Sequence, residues 1–66
     1  MSAYRRKFIR LGEYALQLID TDDQLIKAIE AGDRAGTQSA RLLRTDIVSE
    51  IKQLAAWTPS GVVKQQ

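Results

Sequence analysis

The chain has 66 residues, 44% of them hydrophobic, and ten basic against eight acidic side chains give a net charge of +2. A lone domain of this length buries only about 60% of its unfolded surface, so its stability is marginal without further support. Because the sequence contains no cysteine and no histidine, disulfides and the usual zinc ligands are excluded, and oligomerisation is the expected source of stability.

The first predicted element is a long amphipathic helix over residues 3–31. One side is polar, with a row seven residues apart and a second row beside it: Arg6, Glu13, Asp20 and Lys27, then Arg10, Gln17 and Gln24. The opposite side carries a heptad series that we expect to face a second helix: Tyr4, Phe8, Leu11, Ala15, Leu18, Leu25 and Ile29. Three isoleucines and a leucine beside this series widen the apolar arc to about 160°. A helix that packs against a single neighbour needs an apolar arc of only about 100°. The pattern therefore predicts more than one partner for this helix.

An alternative interpretation breaks this helix at Thr21. The hydroxyl of Thr21, followed three residues later by Gln24, fits a capping box, with Asp22 and Asp23 as first-turn acids. Both the polar and the apolar rows stay in phase across this point, which favours one continuous helix.

Gly32 and Asp33 form the predicted turn, because glycine suits the end of a helix and aspartate can cap the next one. A second helix is predicted over residues 34–57, and Pro59 ends it. Its apolar side consists of Ala40, Leu43, Ile47, Ile51 and Leu54, flanked by Val48 and Ala55. Residues 1–58 thus form a helical hairpin, and residues 59–66 are predicted to be a flexible tail.

Folding at this turn brings together residues whose numbers add up to about 65. Phe8 is then expected to meet Trp57, and the small Gly36 to lie against Ile29 across the contact. Asp22 comes near Arg41 or Arg44, with which it can form an ion pair.

The fold class is therefore all-α, an antiparallel helical hairpin of two long helices that we expect to dimerise into a four-helix bundle. Both helices carry apolar residues beyond their mutual contact, and a second copy would cover them. The predicted dimer interface consists of Ile9, Leu16, Ile19, Ile26 and Val48.

The predicted function is that of a small non-enzymatic protein–protein interaction module. Aromatic residues and arginine dominate binding hot spots, so the candidate partner-binding residues are Tyr4, Arg6, Arg10, Tyr14 and Trp57. For Phe8 and Trp57, core packing is a competing role. In size, charge and predicted architecture the chain resembles small helical-hairpin adaptors and inhibitors from phages, plasmids and other compact genomes. That resemblance implies docking onto a larger partner, such as a host enzyme or a transcription regulator.

The alternative is a small dimeric DNA- or RNA-binding regulator that uses the basic start of the first helix. Its candidate residues are Arg5, Arg6, Lys7, Arg10, Arg41 and Arg44. The acids Asp20, Asp22 and Asp23 lack the spacing of a calcium loop, so we expect no metal site. Without histidine or cysteine we also expect no catalytic residue, no cofactor and no small-molecule substrate. The absence of a signal sequence or membrane span predicts a cytoplasmic protein without a membrane partner.

Overall fold

The computed structural model describes residues 2–58, which form two α-helices in an antiparallel hairpin. Helix α1 is Ala3–Glu30 and helix α2 is Arg34–Ala56. The start of α1 lies against the end of α2, where the Lys7 ammonium reaches the carbonyl oxygen of Ala55 at 3.0 Å. The predicted tail of residues 59–66 lies outside the described residues.

The turn between the helices has the glycine and the cap that the sequence predicted. Gly32 has φ of +70°, a left-handed conformation that glycine adopts without the strain a Cβ would add. The Asp33 side chain then accepts a hydrogen bond from the backbone N–H of Gly36 at 2.9 Å. These two residues reverse the chain within three positions, so α1 and α2 become neighbours.

Helix α1 runs through Thr21 without interruption, so the predicted continuous helix is confirmed and the break at the capping-box sequence is wrong. The Thr21 hydroxyl donates a hydrogen bond to the carbonyl oxygen of Gln17 at 2.8 Å. Because that bond satisfies the hydroxyl within its own helix, Thr21 can be buried to 2% exposure where α1 meets α2. The second helix ends at Ala56, and Trp57 is extended, with φ of −71° and ψ of 139°.

The contact between the helices, called the hairpin seam below, follows residues alternately four and three apart along α1. Its α1 side is formed by side chains that are buried or half-buried: Lys7, Leu11, Tyr14, Leu18, Thr21, Leu25 and Ala28. The α2 side is formed in the same way by Thr37, Ala40, Ile47, Val48, Ile51 and Leu54. The alternation of four and three along α1 is the heptad spacing of a coiled coil.

Part of the predicted contact surface of α1 is wrong. Four of the residues expected to face the second helix are exposed: Tyr4, Phe8, Ala15 and Ile29. Relative to the prediction, α1 is turned by about 50° around its axis, as 100° per residue implies. The turn brings Lys7, Tyr14, Thr21 and Ala28 toward α2 and leaves the most apolar side of α1 exposed.

Three predictions about contacts between α1 and α2 are also wrong. Phe8 and Trp57 are 64% and 46% exposed, so neither is a core residue, and Leu43 is exposed as well. Ile29 is 54% exposed, and the three atoms nearest to a Cβ built at Gly36 belong to Asp33 and not to Ile29. A Cβ at Gly36 would instead lie 2.9 Å from the Asp33 Cγ, so this glycine makes room for the capping carboxylate.

The hairpin is one helix layer thick, with extents of 48 × 25 × 10 Å. Its radius of gyration is 15.6 Å, whereas a compact domain of this length has roughly 11 Å. Within residues 2–58 the buried hydrophobic residues are Ala40 and Ile47. The hairpin therefore has a seam but little core of its own.

Candidate functional site

Lys7 fixes the open end of the hairpin. Its ammonium donates to the carbonyl oxygens of Ala55 at 3.0 Å and Trp57 at 2.7 Å. These carbonyls belong to the C-terminal end of α2, where the helix dipole is negative and the last acceptors lack partners within the helix. A cation at this position therefore closes the helix end and holds the backbone of Trp57 beside α1.

A groove opens next to this contact, between the first half of α1 and the last turns of α2. We call it the cationic groove; its volume is about 620 Å³. It is lined by Ala3, Arg6, Lys7, Arg10, Tyr14, Glu50, Gln53, Leu54 and Trp57. The lining contains three cations and one carboxylate.

Four of the five residues predicted to bind a partner come together in the cationic groove: Arg6, Arg10, Tyr14 and Trp57. The fifth, Tyr4, is exposed and is not part of the lining. Sequence reasoning missed Lys7, Glu50 and Leu54 as neighbours of these residues. A signal for Lys7 was present, because it lies seven residues before Tyr14 on the same side of α1.

Arg10 and Tyr14 are in contact on the wall of the groove. The Arg10 guanidinium carbon lies 5.0 Å from the centre of the Tyr14 ring, a cation–π contact. Its Nη1 also donates to the Glu13 carboxylate at 3.2 Å. The hydrogen bond to Glu13, followed by the interaction with Tyr14, raises the pKa of Arg10. The guanidinium is thus a positive charge beside an aromatic ring.

The opposite side of α1 carries a long exposed apolar surface. We call it the outer apolar face and define it by Phe8, Ile9, Ala15, Leu16, Ile19, Ile26 and Ile29, all of which are exposed. Leu16 and Ile19 are 70% and 66% exposed. The four predicted dimer-interface residues of α1 lie on this face, and the fifth, Val48 of α2, is half-buried.

Charged residues interrupt the outer apolar face near its middle. Asp23, four residues after Ile19 and three before Ile26, lies among its side chains, and an ion pair lies at its edge toward α2. Arg44 of α2 donates through Nε to Asp22 of α1 at 2.7 Å, which confirms one of the two predicted partners of Asp22. The side chains of Arg44 and Asp22 remain 47% and 40% exposed. At such exposure the pair contributes only about 0 to 1 kcal/mol to the stability of the hairpin.

The residues of the nucleic-acid hypothesis do not form one patch. Arg5, Arg6, Lys7 and Arg10 lie at the open end of the hairpin, whereas Arg41 lines a separate groove at the turn with Gly32. The pairing of Arg44 with Asp22 places Arg41 opposite about Leu25 of α1. About 15 residues therefore separate Arg41 from Arg10, roughly 22 Å at 1.5 Å per residue. Arg44 lies between them and is held by Asp22.

The three clustered acids of α1 each bind a different partner. Asp20 accepts from the Gln24 amide at 3.0 Å, and Asp23 pairs with Lys27 at 3.0 Å. The hydrogen bond to Asp23 raises the pKa of Lys27. Across residues 2–58 no group of three or more acidic side chains is arranged to hold a metal ion.

Comparison with protein-family models, with curated proteins and with solved structures gives no match to this chain. Neither helix of the described part combines the length and the apolar character that a membrane crossing needs. Function is therefore argued from the two surfaces of the hairpin.

Proposed function

We propose that this chain is a non-enzymatic protein–protein interaction module that acts as a homodimer. Two hairpins pack through their outer apolar faces into a four-helix bundle, and the dimer docks onto a larger protein as an adaptor or inhibitor. The observation that carries the proposal is the outer apolar face, which runs from Phe8 to Ile29 with its side chains exposed. A face of this length on a hairpin with so little core is typical of an interface.

The energetics favour covering this face. Fully burying an isoleucine or leucine side chain contributes about 1.5 to 3 kcal/mol. Because Leu16 and Ile19 are 70% and 66% exposed, covering each would contribute about 1 to 2 kcal/mol per chain. The other side chains of the face add to this gain. The summed free energy of burying these side chains offsets the entropy that two chains lose when they associate. A single hairpin leaves the same side chains in water and does not gain this free energy.

Charge favours an antiparallel arrangement of the two α1 helices. The first ten residues carry Arg5, Arg6, Lys7 and Arg10, and the acids of α1 begin at Glu13 and continue to Glu30. Parallel packing would bring two basic ends together, whereas antiparallel packing sets the basic end of each α1 beside the acidic half of the other. A two-fold axis then passes near the middle of α1, close to Ile19.

Single-cysteine cross-linking tests this arrangement, because the natural chain contains no cysteine. With Ile19→Cys we expect a covalent dimer on oxidation, since the two copies of this position lie near the axis. Phe8→Cys should not cross-link to its own copy, because about eleven residues on either side of the axis place the two copies roughly 33 Å apart. Leu42→Cys is the matched control, an exposed leucine position on α2 outside the outer apolar face.

Efficient cross-linking of Phe8→Cys would indicate a parallel contact, and equal cross-linking of Leu42→Cys would show random collision. Either result contradicts the proposed dimer.

Docking onto a larger protein is tested by affinity capture from a host lysate. We expect a captured protein to be lost when Tyr14→Ala and Arg10→Ala are used as bait and retained with Arg41→Ala, which changes an arginine at the far end of the hairpin. Capture that is unaffected by Tyr14→Ala and Arg10→Ala would contradict docking through this end of the hairpin.

The nucleic-acid alternative has weaker support. Lys7, Arg10 and Arg44 already bind groups of the chain itself. The other candidate residues are Arg5 and Arg6 at the open end and Arg41 near the turn, so a continuous phosphate track would have to extend along much of the hairpin.

A further inference from the structure

We propose that the cationic groove binds an acidic segment of the partner protein, in which an aspartate or glutamate stands next to a bulky apolar residue. This inference rests on the proposed function, since it names the chemistry of the partner that the dimer would dock onto. It follows from the walls, the charge and the position of the groove.

The walls supply a place for an apolar side chain. Trp57 and Tyr14 both line the groove, and Leu54 lies between the helices as a half-buried neighbour. Trp57 remains 46% exposed although it is the largest side chain of the sequence. Tryptophan, tyrosine and arginine in one concave site are the residue types that carry most binding energy at protein interfaces. A groove of about 620 Å³ lies within the size range of ligand-binding sites, roughly 300 to 1,000 Å³.

The charge of the groove selects an acidic occupant. Arg6, Lys7 and Arg10 line the groove with one carboxylate, Glu50, and Arg10 also binds Glu13, which lies outside the lining. Lys7 also neutralises the negative end of the α2 dipole through its bonds to two terminal carbonyl groups. Three cations against these two carboxylates leave a net positive charge, and the exposed Arg6 guanidinium can bind an approaching carboxylate through two parallel hydrogen bonds.

The position of the groove leaves it open in the proposed dimer. Arg10 and Ile19 point in directions about 180° apart on α1, as 100° per residue implies. Packing through the outer apolar face therefore leaves the cationic groove on the outside of the bundle. A dimer presents two such grooves, so a partner with two acidic segments gains from avidity.

Selection from a random peptide library displayed on phage, with the full-length protein as bait, tests the inference. We expect enriched peptides in which an acidic residue adjoins an aromatic or aliphatic one. Synthetic copies of these peptides should change the fluorescence of Trp57, the single tryptophan of the chain. Their affinity should fall about tenfold or more with Trp57→Ala, or with Arg6→Glu and Arg10→Glu together.

Arg41→Glu is the control, because it reverses a charge on α2, and Arg41 lines a separate groove near the turn. We expect it to retain binding, and affinity for the bait should decrease as salt is added. Enrichment of neutral or basic peptides, no enrichment at all, or an equal loss with Arg41→Glu would overturn the inference.

Two further measurements separate the outcomes. Sedimentation mass and circular dichroism of each variant report the dimer independently of peptide binding. A dimer of normal helicity that selects no acidic peptide contradicts the groove assignment alone, and a single-chain mass contradicts the proposed function. A labelled duplex that shifts at low salt and loses its shift with Arg6→Glu and Arg10→Glu would assign the groove to nucleic acid and overturn the inference.

Discussion

The ion pair between Asp22 and Arg44 reports whether the outer apolar face is covered. In the single hairpin the two side chains are 40% and 47% exposed and joined at 2.7 Å, so their coupling should be about 0 to 1 kcal/mol. If a second hairpin covers the face, the pair becomes a desolvated interfacial pair. Close interfacial charge pairs show coupling energies of about 1.5 kcal/mol or more.

We predict the larger value. The experiment is a double-mutant cycle with Asp22→Ala, Arg44→Ala and the double variant, measured by urea unfolding followed by circular dichroism at one fixed chain concentration. The coupling should persist at high salt, because a covered pair is screened less than an exposed one.

A second cycle provides the control. Arg10 and Glu13 also form an ion pair, at 3.2 Å, but on the polar side of α1. Their coupling should be smaller than that of Asp22 with Arg44 and should weaken as salt is added. If both cycles give the same small, salt-sensitive coupling, the outer apolar face is open at Asp22 and the argument for its burial is refuted.

Three further variants test the fold by urea unfolding. Ile47→Ala should cost about 2 to 4 kcal/mol, because it leaves a cavity at a buried position; Leu42→Ala, at an exposed one, should cost about 0.5 kcal/mol or less. Equal costs would contradict the assigned seam. Gly32→Ala should cost about 1 to 2 kcal/mol through the positive φ alone, since a Cβ there meets no atom within 4 Å; a neutral effect would contradict the turn. Asp33→Ala should cost about 1 kcal/mol and Asp33→Asn much less, because asparagine caps as well; equal losses would contradict the cap.

Local features of the hairpin were predictable from the sequence. Gly32 and Asp33 act through their own backbone and side chain, so the turn and the cap can be inferred without knowledge of the rest of the chain. The phase of the polar rows extended across Thr21, and the helix is continuous there. The ion pair of Asp22 followed from the register that the turn imposes, which left two arginines as candidates.

The rotation of α1 was not predictable in the same way. The apolar side of α1 covers about 160° of the helix, so either edge of it can pack against α2. The prediction placed the most apolar edge against α2. The seam uses the other edge, because the polar groups there find partners: Lys7 in the last carbonyls of α2 and Thr21 in Gln17. Asp22 was the signal in the sequence that could have indicated the rotation. A charged residue fits a helix contact worse than the neighbouring Thr21 does.

The candidate site was predictable in its residue types. Arginine, tyrosine and tryptophan were chosen because they dominate hot spots, and four of these residues line one groove. Their neighbours were not predictable, since Trp57 was expected to pack against Phe8. The end of α2 at Ala56 and the contact of Lys7 with the Trp57 carbonyl place Trp57 in the groove, and both depend on tertiary structure.

Sedimentation equilibrium of the unmodified chain at micromolar concentration tests the central claim most directly. The proposed dimer predicts about twice the chain mass of 7.4 kDa. Ile19→Lys should reduce the mass to that of one chain, because it puts a charge into the outer apolar face, and Leu42→Lys should leave the dimer intact. A mass of 7.4 kDa for the unmodified chain, with its helicity retained, would contradict the claim.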